Sequence, residues 1–239
     1  MKKILKLKRV YLLCLLPLSY LLIYIAKHSS SFAEQFYAIH IYKWLSQGIA
    51  MITGIFPFSL AEILILILPI LSLFLLIRFC VKVIRDRENR TERLGKGILN
   101  LLCTVSIALF LFVILAGINY YRYPFSYYSN LEVRDSSVQE LYALTKSLAM
   151  DANQLREMTE ATDENGVFQL SMGMHELAEQ AAEAMAALSK EYPVLGGNYG
   201  TPKPVLSSSL MSYTEITGIF FPFTMEANVN VAIPDYSIP

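Results

Sequence analysis

Three long apolar runs inside the first 118 residues limit what this chain can fold into. Val10–Ala26 has 17 residues and no charge. Leu60–Val81 has 22, interrupted by Glu62, Pro69 and Arg78. Ile98–Ile118 has 21, with Asn100 as its most polar member. At about 1.5 Å per residue, helices of these lengths reach roughly 26, 33 and 32 Å, against a hydrocarbon core of about 30 Å. Buried core helices would be the other way to hide such runs, but three of them need a soluble partner surface that this chain lacks. The apolar fraction of 54% and the mean hydropathy of +0.43 are likewise too high for an ordinary soluble domain. The reading is three transmembrane helices.

The formal net charge of zero hides a split: residues 1–117 carry +9 and residues 118–239 carry −9. Lys2, Lys3, Lys6, Lys8 and Arg9 precede the first run. Arg78, Lys82, Arg85, Arg87, Arg90, Arg93 and Lys96 surround the connection between the second and third, whereas the first connection holds only Lys27 and Lys43. The positive-inside rule predicts a cytoplasmic N-terminus, a cytoplasmic loop over 82–97, and residues 27–59 and everything after about 118 outside. An acidic outer half excludes nucleic acid as a partner, because phosphate contacts need a basic face. A cleavable signal over Met1–Ala33, with a small-residue site at Ser31-Phe32-Ala33, is the alternative reading of the N-terminus. It would leave the outer half on the same side.

Cys14, Cys80 and Cys103 all lie in or beside apolar runs, where packing is the expected role. The outer half has no cysteine, hence no disulfide framework and no thiolate metal site. Between the first two spans, residues 33–56 read as an interfacial amphipathic helix. Ile41, Leu45, Gly48, Ile49, Ile52 and Phe56 form its stripe, and Tyr37, Tyr42 and Trp44 suit the membrane interface. A helix packed beneath the outer domain fits the same pattern.

The outer domain, residues 119–239, opens with a capping box at Ser137-Val138-Gln139-Glu140. A helix follows to about Asn153, with Leu141, Thr145, Leu148 and Ala152 on its predicted buried side. Asp163-Glu164-Asn165-Gly166 reads as a turn. A second helix is predicted from Phe168 to Glu191 along Leu170, Met174, Leu177, Ala181, Met185 and Leu188. Short extended segments follow from Val205. Together these predict a small α+β extracytoplasmic domain, and the strand-like run into Pro239 predicts an incomplete one. One internal echo, Thr53-Gly54-Ile55-Phe56-Pro57-Phe58-Ser59 against Thr217-Gly218-Ile219-Phe220-Phe221-Pro222-Phe223-Thr224, is too short for a duplication. It reads as reuse of a turn with aromatic flanks.

Few residues suggest chemistry. His175-Glu176-Leu177-Ala178-Glu179 is close to the zinc helix, which sets two imidazoles four residues apart on one face. Glu179 replaces the second imidazole, and His175, Glu176, Glu179 and Glu183 fit the wet side of a helix. The loop Gly196-Gly197-Asn198-Tyr199-Gly200 does not lead from a strand into a helix, so it is not a nucleotide fingerprint. In the terminal stretch Glu226, Asn228 and Asn230 recur at period two, on one strand face, with Ala227, Val229 and Val231 on the other. This is either an ordinary half-buried strand or one whose polar side lines a groove.

The segment Thr53–Glu62, the junction Asn119-Tyr120-Tyr121-Arg122, and above all Ser212-Tyr213-Thr214 through Thr217-Gly218-Ile219 to Pro222–Asn230 resemble a bacterial membrane family catalogued as domain of unknown function 3810. The resemblance covers nearly the whole chain. It implies a membrane-anchored zinc metallopeptidase of the zincin type in the bacterial cytoplasmic membrane. In that family the terminal strand is followed by a helix carrying His-Glu-x-x-His. Tyr236-Ser237-Ile238-Pro239 stands where the approach to that helix would be. The resemblance therefore implies zinc for a complete family member, but no metal ligand, no catalytic residue and no cofactor in this chain, which is expected to be inactive and truncated. What carries over is the anchor and a strand beside a cleft, with Glu226, Asn228 and Asn230 as substrate-groove candidates. The alternative is a non-enzymatic membrane-anchored binding or scaffold protein. The expected partners are the lipid bilayer and, on the outer face, a peptide or envelope protein.

Overall fold

The computed structural model describes residues 8–159, 162–198 and 200–238. The basic start at Lys2, Lys3 and Lys6, Tyr199 of the glycine-rich loop and the terminal Pro239 lie outside the described residues.

Two compact units form. The first takes in the described residues up to Tyr123 together with Phe220–Glu226; the second takes in Pro124–Ile219 and the described residues from Ala227 onward.

Three helices of the first unit are long and apolar enough to cross a membrane: Arg9–His28, Leu60–Arg85 and Arg90–Leu115. The first begins as a 3-10 turn, Lys8–Cys14, and continues as α1, Leu15–His28. A wide π-helical segment, Phe32–Tyr42, runs directly into α2, Lys43–Thr53. The second and third spans are α3, Leu60–Arg85, and α4, Arg90–Leu115, followed by a 3-10 turn, Gly117–Tyr121.

Polar side chains on α4 tie it to the first span. Ser106 donates to the Leu12 carbonyl at 2.7 Å, Arg9 donates to the Asn100 amide oxygen, and Cys103 lies 3.3 Å from the Arg9 carbonyl. Of the three cysteines only Cys103 is buried, packed between helices; Cys14 and Cys80 are exposed on the spans. At the other end Ala26, Ala33, Tyr37, Val113 and Ile118 form one buried cluster. The α3–α4 hairpin closes at Gly97, where a Cβ would sit 2.3 Å from the Phe79 ring. Most of the α3 surface is exposed leucine and isoleucine, as a lipid-facing helix requires.

The second unit is a small mixed α/β region. It holds a short helix α5, Ser126–Ser129, then α6, Val138–Glu157, and α7, Met174–Glu191. Further on come β1, Lys203–Pro204, and α8, Ser208–Tyr213. The strands β2, Gly218–Phe221, and β3, Glu226–Val229, some of whose residues (Phe220, Phe221 and Glu226) count with the first unit, complete a three-stranded open sheet of order β1-β3-β2. β1 pairs with β3 in parallel, Lys203 opposite Asn228 and Pro204 opposite Val229.

The capping box forms as its sequence requires. The Ser137 hydroxyl accepts from the Glu140 N–H, and the Glu140 carboxylate accepts from the Ser137 N–H. Two expectations need correction. The stripe Leu141, Thr145, Leu148 and Ala152 is not buried: every residue from 138 to 155 is exposed. The second helix starts at Met174 rather than Phe168. The Asp163 side chain accepts from the Asn165 and Val167 N–H groups at 2.8 Å, and this turn lets Thr162 and Phe168 bridge as antiparallel partners. Those local bonds hold the segment extended and outcompete a longer helix.

Candidate functional site

The polar row on β3 begins with Glu226. Both carboxylate oxygens accept backbone bonds from the first turn of α3, from Leu60 N–H at 3.1 Å and Ala61 N–H at 2.8 Å. Ser59, the N-cap residue, accepts from the Glu62 N–H at 3.0 Å. The four leading N–H groups of a helix have no partner within it, and its N-terminal end is electropositive, so a carboxylate there is doubly favoured. Glu226 is 4% exposed. Its oxygens serve a membrane helix.

Two further bonds hold the hairpin tip on the same unit. The Thr53 hydroxyl lies 2.9 Å from the Thr224 carbonyl, and the Tyr42 hydroxyl lies 3.8 Å from the Met225 sulfur. Met225 adopts a left-handed φ of 53°, uncommon for a long side chain. The two echoing segments thus meet at the head of α3. They differ in conformation: residues 218–221 are a strand, whereas 53–58 run from a helix end through a turn.

Asn228 and Asn230 lie in the second unit and are 1% and 0% exposed. Asn230 is held at both ends of its amide. Its nitrogen donates to the Ile216 carbonyl at 2.9 Å and the Ser212 hydroxyl at 3.0 Å, and its oxygen accepts from the Ala232 N–H at 2.9 Å. Its backbone N–H donates to the Thr217 carbonyl at 2.9 Å. Asn228 stands opposite the buried Lys203 in the β1–β3 register. The strand therefore turns its polar row inward; on the other face Ala227 and Val231 are exposed and Val229 is buried. An inward polar row is stable only when its groups are bonded, as the contacts of Glu226 and Asn230 illustrate.

A second polar centre, not anticipated from the sequence, lies in the first unit. Arg122 grips Glu34 through two bonds, Nε at 2.7 Å and Nη2 at 2.8 Å. Glu34 is buried in the π-helical segment. Tyr37, one turn on, donates to the Ile114 carbonyl. Burial, helped by the neighbouring Tyr42, pushes the Tyr37 phenol up to about 12. Tyr42 is also raised by burial, with the Arg122 charge opposing. A signal existed: Glu34 is the single acid between residues 10 and 61, and Arg122 is the first base after the third span.

The three histidines are not gathered into one site. Among the described residues no group of three or more His, Cys, Asp or Glu could hold a metal ion. His28 bonds the Tyr24 carbonyl at 2.8 Å, and His40 lies against the Phe36 ring. His175 is paired at 3.5 Å with Glu179 on an exposed helix face.

The fold defines a polytopic membrane protein with three spans and a small α/β region. The chain belongs to the family described as protein of unknown function (DUF3810), which it matches over residues 37–239. No curated protein and no solved structure shows significant similarity to it.

Proposed function

We propose that this chain is a membrane-anchored support of the bacterial cell envelope, with its N-terminus inside and its α/β region outside, where it engages a peptide or envelope protein. The observation that carries the reading is the buried Glu226 carboxylate, bonded to both Leu60 and Ala61 at the head of a membrane span. An acid committed to two backbone donors fixes a strand; it is not free to move protons on a substrate. In this reading Glu226, Asn228 and Asn230 contribute to a groove by holding β3 in place. The sheet order puts β1 and β2 at the edges, and β2, with Ile219 and Phe220 exposed, offers the longer edge for an extended peptide.

The resemblance to a zincin-type peptidase favours a second reading, in which the same frame supports a zinc-dependent hydrolase. Among the described residues no group of three or more His, Cys, Asp or Glu offers it a metal site. Metal analysis of the detergent-purified chain separates the two. The support reading expects zinc well below one equivalent after dialysis and no peptide hydrolysis. Tight zinc near one equivalent would overturn it.

A further inference from the structure

The exposed face of α6 has the periodicity of a seam between two helices. Val138, Leu141, Thr145, Leu148, Ala152 and Leu155 are spaced alternately three and four residues apart, with leucine at every second position. A heptad written with Val138 at position a puts Leu141, Leu148 and Leu155 at d. A 3.5-residue repeat matches a second helix wound beside the first, because only that partner keeps every a and d position in contact. All these residues are exposed, Leu141 at 54% and Leu148 at 59%.

From this face we infer that α6 pairs with α6 of a second copy of the chain, parallel and in register. Charge selects that partner. In a parallel pair each g position lies beside the e position five residues further along the other helix. Here g is Asp151 and e is Arg156, so both symmetric contacts join opposite charges. An antiparallel pair would not bring them together. Within its own chain Arg156 donates to the Thr159 carbonyl at 3.2 Å and the Gly166 carbonyl at 2.6 Å, which uses two of its five N–H groups. The next g–e contact joins Leu144 to Ala149 and widens the apolar seam.

A lipid surface suits this helix less well. Interfacial helices carry a polar face rich in Lys and Arg, whereas α6 has Glu140, Asp151 and Glu157 against Lys146 and Arg156. The seam covers fewer than three heptads, too short to hold two free peptides together. Three spans in each copy confine both chains to one membrane, which raises the effective concentration of one helix for the other.

Disulfide trapping in native membranes tests the pairing, using the full chain with Cys14, Cys80 and Cys103 replaced by serine. Leu141→Cys and Leu155→Cys, each alone, should give a species of twice the chain's mass on mild oxidation. Ala143→Cys, on the opposite face, should not. Adding Asp151→Arg to Leu141→Cys should reduce the dimer several-fold, since it sets two cations side by side. Leu141, Ala143, Asp151 and Leu155 are exposed, and the serine background, which includes the buried Cys103, is common to every variant compared, so a folding defect would not separate Leu141→Cys from Ala143→Cys. The pairing is overturned by monomer alone at Leu141→Cys, by equal dimer at Ala143→Cys, or by a product of any other mass. It is also overturned if a dimer appears only when Leu141→Cys and Leu155→Cys chains are mixed, which is the antiparallel signature.

Discussion

Glu226 shows how much one side chain can decide. A Gln at this position has the same shape but only one accepting oxygen, and its NH2 would face a backbone N–H that needs an acceptor. Glu226→Gln should therefore destabilise the hairpin docked on α3 by about 1–3 kcal/mol, the usual cost of leaving a buried donor unsatisfied. Faster limited proteolysis within residues 218–226, with the spans intact, is the expected readout; an unchanged cleavage rate would refute the capping role. Tyr37 makes a different prediction. Its phenol titrates near 10 in the unfolded chain and about 12 in the folded one. As pH rises through that window the unfolded state gives up its proton first, so stability is constant below 10 and falls between 10 and 12. The loss is on the order of 2–3 kcal/mol. Comparing alkaline unfolding of the parent with Tyr37→Phe checks this: the variant should lack that part of the decline.

At the scale of elements, α6 behaves as a helix held by its own ends. Its capping box is fully formed, and the Glu140 carboxyl is lowered to about 2, chiefly by its bond from Arg134 and then by those from Ser137. Ser137→Ala should cost about 1 kcal/mol of helix stability. Because residues 138–155 are exposed, that loss should stay within α6. Amide exchange should quicken over its first two turns and remain unchanged in α7; a matching change in α7 would show that the helices are coupled. The capping box and the spans were legible in the sequence because both are local: fixed residues at fixed spacing, or an unbroken apolar run. The inward polar row of β3 was legible only as a period of two. Which side faces in depends on bonds across long stretches of chain, Glu226 to Leu60 and Ala61, and Asn230 to Ile216 and Ser212. The apolar stripe of α6 misled for the complementary reason. Periodicity shows that a face wants cover and is silent on whether the same chain supplies it.

For the molecule as a whole, orientation in the membrane is the property on which the envelope reading depends, and the orientation we propose rests on charge placement. Residues 78–96, around the connection between α3 and α4, hold seven of the fourteen basic residues in the first 117. The connection is fastened by Asp86, which accepts from Asn89 and pairs with Arg93. That pairing holds the Asp86 carboxyl below its ordinary range, with the Arg93 hydrogen bond the largest cause. Seven bases against three acids, of which Asp86 pairs with Arg93 and Glu92 with Lys96, leave a cationic excess over residues 78–96, which resists transfer across the bilayer. The residues after Tyr121 are acidic and face no such barrier. Single cysteines in a chain lacking Cys14, Cys80 and Cys103 make the prediction concrete. Glu132→Cys, beyond the third span, should react with a membrane-impermeant thiol reagent in intact spheroplasts. Asn89→Cys should react only after the membrane is opened. Moving the excess reverses the argument: replacing Arg85, Arg87, Arg90 and Arg93 together by glutamine should weaken the preference and let part of the Asn89→Cys population label from outside. Labelling of Asn89→Cys in intact spheroplasts with those arginines present would place the α/β region in the cytoplasm. A peptide or envelope protein on the outer face could then no longer be its partner.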